Sequence, residues 1–242
     1  MRTVRFALPV LLAAVLLVLA TSQATAAVAY SGTGWKIATK DGVHSLSPRP
    51  YVITFTDSAS RTRLTPYAKA TASQLTEATG TAFTVTTTLE SAPAVGGCPA
   101  EHHLILGLKY RPSGTVGMSV AYSCYTNRPG QVDDHAAWGG WSWIDTEYWQ
   151  ANWFSTNATV NTAKIKNAIT HEIGHMVGLD HPNVDLDGDG KVENGECVRT
   201  AKGYLPVMCS PNGGYTTSGG GGLFTSRDTP GLTQLVANYG QG

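Results

Sequence analysis

Charge is what this chain has least of. Only 14% of its 242 residues are Asp, Glu, Lys or Arg, and 17 basic residues cancel 17 acidic ones. A chain without a basic excess lacks the clustered Lys and Arg on which nucleic-acid binding rests. Long apolar runs are scarce as well: the one at residues 6–20 is broken by Pro9 and falls short of the roughly 20 residues a membrane span needs. No C-x-x-C pair occurs among the four cysteines, which removes the usual thiolate frameworks for zinc. No internal repeat is visible. Against these absences stand 42% hydrophobic residues, 27 glycines, six tryptophans and ten tyrosines. That is enough apolar surface for a folded core, so a disordered chain is excluded. The composition suits an extracellular enzyme or a wall-associated protein.

The apolar run has an address rather than a fold to specify. Arg2 and Arg5 precede it and the small residues 21–27 follow it, the pattern of a secretory signal peptide over residues 1–27, cut after Ala26 or Ala27. Its removal leaves 15 basic against 17 acidic residues. Export places Cys98, Cys124, Cys197 and Cys209 in an oxidising compartment, where four cysteines suit two disulfides. Three pairings are possible, and closeness in sequence favours Cys98–Cys124 and Cys197–Cys209.

Residues 28–49 lack apolar periodicity and read as an irregular leader or a short propeptide. A single folded domain is then expected over residues 50–242. Alternation predicts strands at 51–56, 83–89, 103–108 and 140–145, with a short extra strand at 117–122. Helical spacing of Leu64, Ala68, Ala72 and Leu75 predicts a helix over 60–79 that ends at Gly80, and a second runs from about Asn161 to Met176. Strand, helix, strands and helix over one core give an α+β domain with a mixed sheet. The glycine-rich tract 213–222 reads as a surface loop.

The chemistry concentrates in His171-Glu172-Ile173-Gly174-His175-Met176-Val177-Gly178-Leu179-Asp180-His181. His171 and His175 are four residues apart, so both imidazoles leave one helix face a turn apart. Gly178 can break the helix and let His181 approach from another direction. Three neutral imidazoles with a fourth position open make a catalytic rather than a structural zinc site. Glu172, adjacent to the first ligand, is placed to accept a proton from the attacking water and deliver it to the leaving amine.

This stretch resembles the metzincin metalloendopeptidases, whose signature is H-E-x-x-H-x-x-G-x-x-H. Their downstream Met-turn has a counterpart in residues 204–211, with Met208 in the methionine position. Residues 226–240, closing on Tyr239-Gly240, look like the C-terminal helix of matrixins. The resemblance implies a twisted mixed sheet, a long active-site helix, a C-terminal helix and a cleft between upper and lower subdomains. It also implies a monomeric secreted endopeptidase acting on polypeptides, with no nucleic-acid partner and no membrane association after signal cleavage. The chain departs from its relatives in places. Pro182 follows the third histidine where matrixins have Ser, Ser210 stands where astacins and serralysins have Tyr, and no cysteine precedes the domain to act as a latency switch. The pattern is that of a matrixin-like, bacterial-type member with an insertion.

The insertion is residues 185–196, D-L-D-G-D-G-K-V-E-N-G-E, which matches the calcium loop of an EF-hand. Asp185, Asp187 and Asp189 offer carboxylates, Lys191 its carbonyl, Glu193 a water-mediated contact and Glu196 a bidentate closure. A solvated acidic loop is the competing reading. If calcium binds, its role is structural. Tryptophans 138, 141, 143, 149 and 153 read either as core and cleft-wall packing or as a platform for sugar or peptide. The platform reading would make the chain a non-catalytic, metal-stabilised binding module. An intact Glu172 favours the enzyme, and no acidic motif for catching a substrate amine points to an aminopeptidase. The strand at 140–145 is expected to border the cleft and offer its edge to an extended peptide.

Overall fold

A computed structural model describes residues 27–241. The signal segment expected at 1–27 therefore lies outside the described residues except for Ala27. The described residues are α+β, with a five-stranded mixed sheet, a small three-stranded sheet and three α-helices among them. The large sheet holds β3 (Tyr51–Phe55), β4 (Phe83–Leu89), β5 (His103–Lys109), β6 (Val120–Tyr125) and β7 (Ala137–Asp145). Its order is β4-β3-β5-β7-β6, with only β6 antiparallel. Parallel strands covered on both faces read as continuous apolar runs. The central strand β5 obeys: Leu104, Ile105 and Leu106 in succession are all fully buried. The edge strand β4, Thr-rich, is mostly exposed beyond Phe83.

The long crossover helix α1 (Ser58–Thr79) joins β3 to β4 and buries Leu64, Ala68, Ala72 and Leu75. Asp57 caps its start by accepting from Ser60 N–H, and Gly80 closes it in the left-handed conformation. Helix α2 (Ala158–Met176) begins at Asn157, whose side chain accepts from Val160 N–H. It buries Ile165, Ile169 and Ile173 against the sheet. Helix α3 (Thr229–Ala237) packs Leu232 and Leu235 into the same core. Among the described residues no helix is long and apolar enough to cross a membrane. Two disulfides form, Cys98–Cys124 and Cys197–Cys209, as proximity in sequence favoured. Such bonds suit an oxidising compartment.

Three expectations need correcting. Residues 28–49 carry little regular structure, as expected, but they are packed into the fold. They form β1 (Ser31–Gly32) and β2 (Trp35–Ile37), and β2 pairs with a two-residue strand, β8 (Leu179–Asp180), directly after α2. Ile37, Val43 and Leu46 are fully buried in the main core. The extra strand begins at Val120 rather than Gly117, because Gly117 sits in a turn with its N–H donated to the buried carboxylate of Glu147. Finally, β7, which contains 140–145, is hydrogen-bonded on both sides, to β5 and to β6. Its edges are occupied; the outer strands of the sheet are β4 and β6, and β6 is the one next to β7.

Ile37→Ala should lower stability by about 3 kcal/mol, the usual cost of truncating a buried aliphatic side chain. Urea denaturation of the parent and the variant measures this directly. Equal midpoints would return residues 28–49 to the status of a detachable leader.

Candidate metal centre

Helix α2 delivers His171, Glu172 and His175 together, and its end delivers His181. Gly178 follows the helix with φ of 108°, and a Cβ there would meet Val43 Cγ1 at 2.5 Å. The chain therefore turns sharply against the N-terminal segment and runs into β8, which carries His181 back toward the helix. The Nε2 atoms of the three histidines lie 3.0 Å from one another in all three pairings. A tetrahedral zinc with nitrogens at its usual bond lengths has neighbouring nitrogens about 3.3 Å apart, so the triangle is of the right size.

Ring tautomers decide what the triangle can do. His171 Nδ1 lies 2.8 Å from Val207 O, and His175 Nδ1 lies 2.8 Å from Leu179 O. A carbonyl only accepts, so both Nδ1 atoms carry the proton and both Nε2 atoms present lone pairs. Burial lowers the pKa of all three imidazoles: His171 well below its ordinary value, His175 to about 4, and His181 in the same direction. They are neutral at neutral pH. The lone pairs of His171 and His175, meeting at 3.0 Å with no proton between them, repel, and a cation shared with His181 Nε2 converts that repulsion into coordination. The donor set thus fits a metal ion.

Glu172 is buried beside the triangle, 8% exposed. Burial pushes its carboxyl up to about 8; a dication at the three nitrogens would draw it back down. The site opens into a cleft of about 560 Å³ lined by His171, Glu172, His175 and His181. Val120 to Ser123 of β6 form one wall, and Ser210 and Pro211 stand on the other. Ser123 Oγ donates to His175 O at 2.7 Å, tying the open-edged strand to the helix.

Met208 is 2% exposed and lies against α2. At Gly174, between the two helical histidines, a Cβ would come within 2.4 Å of Met208 Sδ. Only glycine permits this approach without displacing the methionine. The turn carrying Met208 is fixed by Asp228, a residue within the C-terminal motif that had been assigned no task. Its carboxylate accepts from Val207 N–H at 2.9 Å, Met208 N–H at 3.0 Å, Thr225 N–H at 2.8 Å and Thr225 Oγ at 2.7 Å. Burial pushes this carboxyl above its ordinary range, against the pull of those donors. Asp180 is the second residue the sequence reading passed over: its Oδ1 accepts from His181 N–H at 2.8 Å. Both act across the fold or through the main chain, and neither task has a spacing signature.

The acidic insertion also folds into clusters. Asp185, Asp187 and Glu196 bring ligand atoms within 4.8 Å of one another, as do Asp187, Asp189 and Glu193. Main-chain N–H groups orient them: Asp185 accepts from Gly188 and Gly190, Asp187 from Asp189, and Glu196 from Leu186, Asp187 and Glu193. Lys191 donates its N–H to Asp189. No helix flanks the loop, and the Cys197–Cys209 disulfide pins its far end to the turn that bears Met208. Trp141 is buried and stacked on Tyr122, Trp149 lies under Arg63, and Trp138 donates to Pro99 O.

Asp228→Ala would leave three buried N–H groups without an acceptor. Each such group costs about 1–3 kcal/mol, so a loss of about 3 kcal/mol or more is expected in urea denaturation. A loss below about 1 kcal/mol would show that the turn holds itself.

No protein-family model and no curated protein matches the chain, so its chemistry has to be read from the site itself.

Proposed function

We propose that this chain is a secreted zinc endopeptidase of the metzincin kind, with calcium in the 185–196 loop. The observation that carries the reading is the triangle of imidazole Nε2 atoms, two of them held unprotonated by their Nδ1 bonds, with a buried carboxyl beside it in an open cleft. A purely structural zinc site uses four protein ligands and has no task for Glu172.

Zinc bound there supplies Lewis acidity and lowers the pKa of water toward about 7. The remaining work falls to the chain. The open edge of β6 has main-chain groups with which an extended peptide can pair as an added strand. Such pairing is indifferent to where the peptide ends, which favours cleavage at internal bonds. Glu172 accepts a proton from the attacking water and returns it to the amine that leaves. The turn at Met208 and the main chain around it keep the helical histidines in register. Calcium in the insertion would neutralise clustered carboxylates and stiffen the segment between His181 and Met208.

The decisive comparison is cleavage of a generic unfolded protein by the mature chain and by Glu172→Gln, with zinc and calcium supplied. The variant should bind zinc and lose roughly a hundredfold or more of the activity. Zinc binding without cleavage by the parent would sink the endopeptidase reading. For the insertion, calcium at a hundredfold excess over its Kd should stabilise the protein by about 3 kcal/mol, and Glu196→Gln should abolish most of that gain. A thermal midpoint unmoved by calcium in the parent would leave the loop a solvated acidic turn.

A further inference from the structure

The three histidines are not held alike. His171 and His175 are oriented through their own rings, by Nδ1 bonds to Val207 O and Leu179 O. Among the described residues His181 makes ring contacts only through Nε2, to the other two. Its anchor is the main chain: its N–H donates to Asp180 Oδ1 at 2.8 Å. The two-residue strand β8 therefore serves two of the three rings, with Leu179 O on His175 and Asp180 on His181.

Asp180 itself has a side chain only 4% exposed, and a buried carboxylate requires charged partners. They come from neither α2 nor the turn at Met208. Lys36 Nζ lies 3.0 Å from Asp180 Oδ2 and Lys40 Nζ lies 3.1 Å from Oδ1. The antiparallel register of β2 on β8 sets Lys36 directly opposite Asp180. The short 3-10 turn Thr39–Asp41 brings Lys40 round to the same carboxylate. Both lysines are half-exposed or more, with side chains 47% and 63% accessible, so their contribution is charge delivered to a buried acceptor rather than packing.

We infer that Lys36, Lys40 and Asp180 form a latch through which the N-terminal segment sets how firmly the third histidine is held, and with it the affinity for metal. The inference rests on reading the three histidines as a metal centre. All three are positioning residues, since none reaches the converging nitrogens. Without the lysines, Asp180 either stays buried as an unpaired charge or swings toward solvent. The first leaves the acceptor of His181 N–H an uncompensated buried charge and the second withdraws it, and no ring bond of His181 compensates. The segment that reads as a leader in the sequence thereby becomes part of the metal site.

The test is the zinc dissociation constant of the mature chain, measured by competition with a chromophoric chelator, together with the visible spectrum of the cobalt-substituted protein. Removing a group that orients a ligand typically weakens metal binding tenfold to a hundredfold. Lys36→Met/Lys40→Met should weaken zinc by about tenfold and alter the cobalt bands, while Lys36→Arg/Lys40→Arg, which keeps both charges, should bind like the parent. Asp180→Asn keeps an oxygen for His181 N–H but discards the charge the lysines grip. It should resemble the methionine pair, which covers the case of that pair failing to fold. Parent-like zinc affinity and cobalt spectrum in the folded methionine pair or in Asp180→Asn overturn the latch. A parent that takes up no stoichiometric zinc overturns the metal centre, and the latch with it.

Discussion

Three neutral imidazoles with their Nε2 atoms converging on one spot, two of them as lone pairs, form an arrangement that free side chains avoid. Everything around the site supplies the constraint that keeps them there. Carbonyl oxygens of Val207 and Leu179 fix two tautomers. Those carbonyls are fixed in turn by elements remote in sequence: Val207 by the carboxylate of Asp228 at the start of α3, and Leu179 by the pairing of β8 with β2. The helix that carries two histidines is therefore gripped from the C-terminal side and from the N-terminal side. The centre of the molecule is an electrostatic conflict that a cation resolves, and the fold is built to maintain the conflict rather than relieve it.

Burial contributes to the same end. It keeps the imidazoles neutral and available as donors while it disfavours the charged form of Glu172. One environment thus imposes opposite demands on base and acid, and a positive charge at the nitrogens satisfies both. Met208 packs where Gly174 leaves no side chain, so the floor of the site is formed by a contact between helix and turn.

Much of this was legible in the sequence, and the boundary between legible and hidden has a physical cause. His171, Glu172 and His175 act through helical spacing, and the carboxylates of 185–196 act through a loop whose geometry is local. Both kinds of pattern survive in one dimension. The α+β class, the helices near 60–79 and 161–176, and the cysteine pairing also follow from local periodicity or proximity. Asp228 and Asp180 act through single hydrogen bonds to main-chain groups, and such bonds leave no periodic trace. The strands β1 and β2 are two and three residues long, too short for alternation to register, although they carry Lys36 and lead into Lys40. Strand order was the other failure. Residues 140–145 come later in the chain than β6 yet lie inside it, because chain order does not dictate order across a sheet that mixes parallel and antiparallel pairs.

The open edge of β6 has a further consequence. A row of unpaired main-chain donors and acceptors that can receive a visiting peptide strand does not distinguish that strand from any other. Tyr125 on β6 and Val116 and Met118 just before it are exposed hydrophobic side chains, so the neighbourhood is adhesive as well as unsaturated. The same strand lines the cleft, so a charge or proline placed there to blunt its edge would be felt in the cleft as well.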